Sequence, residues 1–321
     1  MYRRLYAQCD LDVQITAQSA LLVQGTQAPE GAGTFYRARD PTDGRERFCI
    51  PATTLKGVWR SAAERILRSF EPWLACDPFE VKKGDSQSCS KRLEGSLAAD
   101  SPQAYGAMCP VCRLFGSTAH AGLLQLQDAW AMGNPRPEPQ TGIAIDRFTG
   151  GVKYGALYSY EPLPAGTRFT THVTVHNVEF WQLGLLALVS REMSQGRVRI
   201  GSGTRKGLGH VEVVWTRAEF RYPKELYEQA SVGQAGVLVS AQALAVDGDR
   251  VNYPDAEPWL LPGLRSQPAN DWADALWTSF WVTENDLSRL QIDCVERALA
   301  PKLRLGRAGF AYGAPAQTGG G

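Results

Sequence analysis

The chain has 321 residues, 44% of them apolar, and a formal net charge of +1. This length allows two compact domains or one domain with large insertions, and the apolar fraction excludes a globally disordered chain. So balanced a charge does not by itself indicate a nucleic-acid partner.

The sequence contains no candidate for a signal peptide or a membrane segment. Residues 1–7 lack an apolar run, and no stretch approaches the roughly eighteen uncharged apolar residues that a spanning helix needs. We therefore expect a cytoplasmic protein without a membrane partner. The cysteines number seven, and this odd count argues against a disulfide framework and favours metal binding or simple burial.

The first elements predicted along the chain are a strand and a helix. Polar and apolar residues alternate within residues 7–23, which predicts a half-buried strand. Apolar residues then recur at helical spacing over residues 55–68, with Thr53 or Thr54 as the N-cap. Lys56 would lie in the first turn, where the helix dipole disfavours a cation. We therefore expect an anion near Lys56, although a solvated lysine is the commoner situation.

Four cysteines follow with the spacing of a metal site. Cys109 and Cys112 form a CxxC knuckle, and Cys76 and Cys89 precede it. Four thiolates can close a tetrahedral zinc site and hold together a segment with little periodicity. His120 is a reserve fourth ligand. A redox CxxC is the alternative, but it belongs in a thioredoxin-like unit, of which the sequence gives no sign. The other cysteines are expected to be small buried apolar residues: Cys9, Cys49 and Cys294.

Residues 141–158 predict a protruding β-hairpin. A glycine pair at its centre is flanked on both sides by β-forming residues. Four of its side chains suit base stacking and phosphate contact, namely Arg147, Phe148, Lys153 and Tyr154. An ordinary surface hairpin is the alternative. Around it, strands are predicted over residues 122–130 and 167–176, and a helix over residues 178–195.

Glycines dominate the next segment, between a strand predicted over residues 197–200 and its partner over residues 211–220. Glycine lets the backbone turn through positive φ and approach a neighbour closely, and a basic pair held there suits a phosphate backbone. The glycines are Gly201, Gly203, Gly207 and Gly209, with Arg205 and Lys206 between the two pairs. The spacing is not that of a nucleotide-binding P-loop. A hairpin with a solvated basic tip is the alternative.

These motifs, in this order, resemble those of one protein superfamily. The blocks are Phe48-Cys-Ile-Pro-Ala-Thr-Thr-Leu-Lys-Gly-Val-Trp-Arg-Ser, Ala144-Ile-Asp-Arg-Phe-Thr-Gly-Gly-Val with residues 156–169, and the glycine segment 201–211. The knuckle Cys109–Cys112 with Leu114-Phe-Gly is similar to its zinc insertion. Together they cover residues 7–220 and resemble the repeat-associated (RAMP) superfamily of CRISPR–Cas proteins. The resemblance is strongest to the backbone subunits of type III effector complexes, the Cas seven family.

The resemblance implies an α+β fold, with a ferredoxin-like (RNA-recognition-motif-like) core, a zinc-knuckle insertion, a thumb hairpin and a C-terminal extension. The expected core spans residues 1–220, with the zinc-binding insertion at residues 71–116 and the thumb at residues 134–160. Residues 221–321 would form the extension, which we expect to contact other subunits.

The C-terminal part matches the superfamily less well and is predicted from its own pattern. We expect a strand over residues 236–246, a helix over residues 287–300 and a flexible end from residue 314. Its charge is mildly acidic: from Arg217 onward there are ten Lys/Arg and thirteen Asp/Glu, whereas residues 140–210 contain eight and four. Such a distribution fits an RNA-contacting centre followed by a protein-facing extension.

The resemblance also implies the partners. These are a guide, the CRISPR RNA (crRNA), a complementary target RNA, and further Cas subunits packed side by side into a filament. The residues expected at the RNA are Lys56, Arg60, Arg147, Phe148, Lys153, Tyr154, Gly201, Gly203, Arg205, Lys206 and Gly207. Their contacts would be mainly to phosphates, so binding should be independent of guide sequence and sensitive to salt.

One loop departs from the pattern of target-cleaving relatives. These carry an aspartate six residues before the acid of the following turn, and Thr34 occupies that place relative to Asp40. Threonine cannot organise a divalent ion or polarise a 2′-hydroxyl as a carboxylate can. We therefore predict RNA binding without cleavage. The alternative is a Mg²⁺-dependent endoribonuclease that uses another acid of the loop: Glu30, Asp40 or Asp43.

Two further alternatives stay open. A relative that processes the guide precursor would use His120 or His210 as a general base. A zinc-stapled protein-interaction module would carry no RNA.

Overall fold

Strands and helices follow one another in runs along the chain in the computed structural model, which describes residues 4–25, 32–80, 87–94, 102–230, 237–245, 259–260, 265–266 and 276–310. The strands are β1 (Gln8–Ala17), β2 (Ala32–Thr34), β3 (Arg37–Arg39), β4 (Glu46–Ile50), β5 (Gly116–Ser117), β6 (His120–Ala121), β7 (Leu124–Leu126), β8 (Ala129–Ala131), β9 (Gln140–Ile145), β10 (Val152–Glu161), β11 (Arg168–His176), β12 (Val211–Pro223), β13 (Val237–Leu238), β14 (Trp259–Leu260), β15 (Arg265–Ser266) and β16 (Trp277–Val282). The helices are α1 (Ala52–Phe70), α2 (Cys89–Leu93), α3 (Pro102–Ala107), α4 (Pro110–Phe115), α5 (Phe180–Ser194), α6 (Lys224–Ala230), α7 (Ala241–Leu244), α8 (Glu284–Asp293) and α9 (Ala300–Arg304).

A nine-stranded sheet organises the molecule. Its strands lie in the order β15-β16-β12-β1-β11-β8-β4-β3, and β7 also pairs with β11. β1 is antiparallel to both of its neighbours, β11 and β12. When β7 and β8 are taken as one interrupted strand, the central chain runs strand, helix α1, strand, strand, helix α5, strand. The result is a mixed α/β fold with a large antiparallel sheet.

The core lies between one face of this sheet and the helices α1 and α5. β1 alternates strictly, with Leu11, Val13 and Ile15 buried and the residues between them half-exposed. This confirms the predicted first strand. Trp215 of β12 lies on the buried face, where its indole N–H donates to Ser190 Oγ of α5 at 3.2 Å. Such alternation is what a sheet with one covered face requires.

Helix α1 buries the face that its apolar spacing predicts, but its cap differs from the prediction. The N-cap is Pro51, so the expected cap at Thr53 or Thr54 is wrong. The N–H of Ala52 donates instead to Asp128 Oδ1 at 2.7 Å, so a carboxylate from the β7–β8 connection satisfies the helix end. Because the helix begins at Ala52, Lys56 lies in the second turn rather than the first.

Three other predicted strands differ from the structure. Residues 197–200 are not a strand, because the N–H groups of Arg197 and Val198 donate to Glu192 O and so prolong the C-terminal turn of α5. The strand expected over residues 122–130 is broken into β7 and β8. In the described part of residues 236–246, β13 covers two residues and helix α7 follows.

The insertion after α1 contains short helices where little periodicity is visible in the sequence. α2, α3 and α4 succeed one another in its described parts. Buried Arg113 of α4 ties the insertion to the end of the described chain: its guanidinium donates to the backbone oxygens of Met108 at 3.0 Å and Phe310 at 2.8 Å.

The described C-terminal residues continue the same sheet and helical layer. The expected boundary at residues 220/221 falls within β12, and β16 pairs with β12. The helix predicted over residues 287–300 is confirmed, and it is longer: α8 passes through a π-helical turn, Cys294–Leu299, into α9. Gly184 of α5 lets this turn approach, because a Cβ there would lie 2.5 Å from Cys294 O. None of the described helices is long and apolar enough to cross a membrane. The flexible end expected from residue 314 lies outside the described residues.

Candidate nucleic-acid interface and metal centre

A basic groove separates α1 from the glycine segment. It has a volume of about 430 Å³. Gly57, Ser61 and Arg65 of α1 form one wall, and residues 196–199 with Thr204 and Arg205 form the other. Four arginines line this basic groove: Arg65, Arg197, Arg199 and Arg205. Guanidinium groups that converge on one concave surface suit an anion with several oxygens, such as a phosphodiester backbone.

The glycines of the glycine segment are needed by its backbone. Gly203 and Gly207 have φ of 73° and 97° and enclose a 3-10 turn, Thr204–Lys206. At Gly201 a Cβ would lie 2.1 Å from Leu22 O, and at Gly209 it would lie 2.2 Å from Ile200 O. The segment therefore packs against the chain that follows β1 and presents its basic turn outward.

The four arginines of the groove have different surroundings. Arg199 holds the glycine segment in shape, since its guanidinium donates to Thr204 O at 3.2 Å and to Gly196 O at 3.4 Å. Arg197 pairs with Glu192 at 2.6 Å, and this hydrogen bond lowers the pKa of the Glu192 carboxyl. Arg65 and Arg205 are exposed and have no salt-bridge partner within the described ranges. Two cations are thus free to meet an external anion.

Lys56 precedes the groove-lining Gly57 on α1. Partial burial, and secondly the nearby charge of Arg60, lower the pKa of the Lys56 amine. An anion beside Lys56 would relieve both effects. The position is therefore compatible with the phosphate contact expected of it.

The predicted hairpin is present and its root contacts the glycine segment. β9 and β10 pair antiparallel, and β10 also pairs with β2. Lys206 Nζ lies 2.5 Å from Tyr158 Oη and 4.3 Å from the centre of the Tyr158 ring. Tyr158 in turn stacks on Tyr160, with ring centres 6.1 Å apart. This contact joins the hairpin to the basic turn.

The hairpin carries exposed apolar side chains towards its tip. Phe148 is 100% exposed in the turn, where Asp146 Oδ1 accepts the N–H of Phe148 and of Thr149. Arg147 and Lys153 are exposed beside it. Tyr154 lies in β10, where its side chain is not among those described. Cross-strand pairs place four more apolar residues on one face of the hairpin: Ile143, Ile145, Val152 and Leu157.

The four predicted cysteine ligands come together at one point. The Sγ atoms of Cys76, Cys89, Cys109 and Cys112 all lie within 4.8 Å of one another, and all four residues are buried. Burial by itself would raise the pKa of Cys109, but hydrogen bonds with the other three thiols hold that pKa well below its usual value. Four convergent buried thiols fit a tetrahedral metal such as zinc.

Two arginines lie against this thiol cluster. Arg92 Nη2 donates to Cys89 Sγ at 3.0 Å, and Arg60 Nη2 donates to Cys112 Sγ at 3.5 Å. Arg60 also donates to Gly116 O at 2.8 Å and to Glu64 Oε1 at 2.9 Å. The guanidinium expected at the RNA is thus occupied beside the thiols.

The reserve residues lie elsewhere. His120 is buried near the Tyr105 ring and is not one of the four clustered ligands. His210 Nε2 lies 3.0 Å from Ser194 O, at the end of α5. Neither histidine lies in the basic groove.

The loop acids are used within the loop itself. Asp40 is buried and accepts the N–H and the hydroxyl of Thr42 at 2.9 and 2.6 Å. Asp43 accepts the N–H of Arg45 at 3.0 Å. Thr34 is exposed in β2, where it pairs with Glu161 at the hairpin root. Glu30 lies outside the described residues.

Five residues at these two sites are absent from the sequence prediction: Arg65, Arg92, Tyr158, Arg197 and Arg199. A signal exists for Arg65, because Gly57, Ser61 and Arg65 recur every four residues and so share one helix face. For Tyr158 the deciding contact, with Lys206, is 48 residues away, and the local sequence contains no sign of it. Arg92 lies three residues after Cys89, a spacing that places both on one face of a helix.

Two comparisons with known proteins bear on these sites. A family model described as the RAMP superfamily matches residues 17–212, which is 196 of the 321 residues. A search of curated proteins finds no match.

Proposed function

Because the chain belongs to the RAMP superfamily, we propose that it is a crRNA-binding subunit of a type III-like CRISPR effector complex, of the Cas seven kind. Members of the superfamily generally bind CRISPR RNA and other Cas subunits. The observation that carries the proposal is the basic groove between α1 and the glycine segment.

The groove would hold the guide by its phosphates. Its four arginines converge from two elements, and two of them, Arg65 and Arg205, are free for an external anion in the described structure. Lys56 and Lys206 lie at its two sides and would add charge. Contacts of this kind neutralise phosphates without reading bases, so one subunit type can serve any guide sequence.

The hairpin β9–β10 would act as the thumb against the guide–target duplex. Its fully exposed Phe148 supports this role, because an aromatic ring in water gains by stacking on a base. Arg147 and Lys153 beside it would contact phosphates. Lys206 at its root would keep the thumb in fixed relation to the groove.

The strand order supports a ferredoxin-like core. The strand–helix–strand–strand–helix–strand run places its strands in the order β12-β1-β11-β8, so that the last strand lies beside the first. Helices α1 and α5 lie together on one face, as two crossover helices of such a core would.

We further propose that the clustered cysteines hold zinc with a structural role. Buried thiols from four places in the chain leave no open position for a substrate, which is typical of a structural site. A metal held by the cysteines would connect the helices of the insertion, which in its described part are all short.

The subunit is proposed to bind target RNA without cutting it. Thr34 occupies the place of the expected aspartate, and the hydrogen bonds of Asp40 and Asp43 within their own loop support the same conclusion. The second candidate, a Mg²⁺-dependent endoribonuclease, would depend on Glu30 or on a rearranged loop.

A salt titration of RNA affinity tests guide binding. We compare wild type with the double variant Arg205→Glu, Lys206→Glu, using two labelled RNAs of unrelated sequence. The matched control is Lys224→Glu, Arg289→Glu, which changes the same charge at exposed positions that do not line the groove. We expect the groove variant to lose affinity for both RNAs and the control to keep it. Equal affinities of the two variants would overturn the proposed interface.

Incubation of the guide-loaded complex with labelled target RNA and Mg²⁺ separates the two candidates. We expect no cutting by wild type, and cutting gained by Thr34→Asp would locate the position at which a catalytic acid is missing. Cutting by wild type that Glu30→Ala abolishes would establish the second candidate instead.

A further inference from the structure

Two guanidinium groups contact the thiol cluster from outside it, and no part of the proposed function uses them. Arg92 Nη2 lies 3.0 Å from Cys89 Sγ, and Arg60 Nη2 lies 3.5 Å from Cys112 Sγ. The two arginines come from different elements, α2 and α1, and contact different sulfurs. Cys89 also accepts the backbone N–H of Cys109 at 3.2 Å.

The charge of a filled site explains why cations are placed there. Four thiolates around a divalent metal carry a net charge of −2, and burying an uncompensated charge is unfavourable. Two guanidinium groups carry the opposite charge of +2, and Arg68 pairs with the Glu64 carboxylate that also contacts Arg60. The N–H···S hydrogen bonds of Arg60 and Arg92 stabilise the thiolate form, which is the form that binds metal.

Arg60 is held in position for this contact. Its Nε donates to Glu64 one helical turn along α1, and its Nη1 donates to Gly116 O directly after α4. α4 carries Cys112, so Arg60 fixes both the sulfur and the end of the helix that presents it. A guanidinium with three anchored donors loses little freedom when the metal arrives.

We propose that Arg60 and Arg92 are positioning residues of the metal centre, which hold the metal by neutralising and orienting the Cys112 and Cys89 thiolates. The inference rests on the proposed zinc site and extends it to residues that do not touch the metal. It also places Arg60 at the metal rather than at the RNA, and it joins the metal centre to the helix that forms one wall of the basic groove.

The test measures zinc retention rather than RNA binding. The purified full chain is loaded with zinc and challenged with a chromophoric chelator, and Arg60→Gln and Arg92→Gln are compared with wild type. Loss of an outer contact to a metal ligand typically reduces metal affinity by about 10–100-fold, and we expect a loss in that range for each variant. The matched controls are Arg65→Gln on α1 and Lys91→Gln on α2, because each lies close to its counterpart in sequence and donates to no sulfur in the described structure.

A spectroscopic measurement separates a role in positioning the thiolates from a general effect on folding. In cobalt-loaded protein, the loss of an N–H···S bond leaves a more electron-rich thiolate, so the thiolate-to-cobalt absorption band should move to longer wavelength. Arg60→Lys and Arg92→Lys keep the charge, and we expect them to restore part of the affinity. If Arg60→Gln does not fold, Arg92→Gln still decides, because Arg92 lies on the short helix α2 and not on α1, which contacts the sheet and α5.

The possible results separate the role of Arg60 and Arg92 from the proposed zinc site on which it rests. A wild-type chain that neither contains nor takes up zinc would overturn the metal centre, and with it the inference. Wild type that holds one zinc, with both glutamine variants holding it equally well and showing an unshifted cobalt band, would overturn the inference alone.

Discussion

Lys56 and Arg60 lie one helical turn apart on α1, yet they have different surroundings. Arg60 has its guanidinium engaged by Glu64, Gly116 and Cys112. Lys56 has no salt-bridge partner in the described structure, and its pKa is lowered by partial burial and then by Arg60. A charged lysine that is partly buried beside an arginine lowers the stability of the fold, unless an external anion pairs with it.

Replacing Lys56 should therefore raise stability and weaken RNA binding. At pH values below the lowered pKa of Lys56, its partly buried charge destabilises the folded chain. This effect disappears once the pH exceeds 10.5, the usual pKa of a lysine side chain. We expect Lys56→Met to have a higher Tm than wild type at pH 7 and an equal Tm above pH 10.5. Its RNA affinity should fall, with a salt slope reduced by about 1 for one lost phosphate contact. A lower Tm at pH 7 would contradict this account.

Two glycines of the glycine segment make a matched pair for substitution. A Cβ at Gly209 would lie 2.2 Å from Ile200 O, whereas at Gly207 nothing lies within 4 Å. Both have positive φ, so both alanine variants carry strain of about 1–3 kcal/mol, and Gly209→Ala adds a backbone clash. We expect Gly209→Ala to have the lower urea midpoint and to lose RNA binding, with Gly207→Ala intermediate in both. Equal urea midpoints of the two variants would show that the close approach of Gly209 to Ile200 O does not affect stability.

The insertion at residues 71–116 is the part of the chain whose structure depends most on side-chain contacts and least on its own backbone hydrogen bonds. Its described helices α2, α3 and α4 have five or six residues each, which is too short for stability on their own. Four buried thiols and buried Arg113 connect them to α1 and to the end of the described chain.

Removal of one thiol should release the metal and loosen the insertion. We expect Cys112→Ala to lose the bound zinc and to be cleaved faster by protease within residues 71–116. Cys49→Ala is the control, because Cys49 is buried far from the cluster in sequence and burial raises its pKa to about 12, so its thiol stays protonated. Metal content by mass spectrometry and the timing of proteolysis provide the readouts. Full zinc content in Cys112→Ala would rule out the four-thiolate site.

How far the sequence predicts these elements depends on the range of the interactions that form them. Periodicity predicts β1 and the buried face of α1, because each repeats every two or four residues. It fails at the cap of α1, since Asp128 lies 76 residues from the N–H it accepts. Periodicity also fails at residues 197–200, because the N–H groups of Arg197 and Val198 donate to Glu192 O of α5. No pattern within those four residues indicates these hydrogen bonds. The four cysteines are identified by residue type, and Arg92 lies within one helical turn of Cys89. Arg60, by contrast, is 52 residues from Cys112 and becomes visible beside it only once the chain is folded.

At the scale of the whole molecule, the described C-terminal residues are part of the central sheet. β16 pairs with β12 over six residues, and helix α8 with the π-helical turn that follows it packs on α5. Phe280, Leu287, Leu290 and Phe310 are all buried. We therefore expect residues 1–220 and 221–321 not to fold as separate units.

Truncation tests this conclusion. A chain ending after Pro223 would leave β12 as an unpaired edge and uncover the apolar surface of α5, so we expect it to aggregate. A chain ending after Phe310 keeps every described contact, and we expect it to be soluble with a Tm close to that of the full chain. Size-exclusion chromatography distinguishes the two outcomes. A monomeric, cooperatively melting fragment 1–223 would restore the expected two-part organisation.

The bond from Arg113 to Phe310 O sets an order of events during synthesis. The two residues are 197 positions apart, which corresponds to roughly 10–40 s of translation at about 5–20 residues per second. During that time the insertion is already synthesised, while the Nη1–H group of Arg113 still lacks its final acceptor, Phe310 O. The four clustered cysteines are all synthesised by the time Arg113 is, so a metal that binds them would reach them in a nascent chain that still lacks its C-terminal residues. The last described turn would then bond to Arg113 of α4 after the metal is in place.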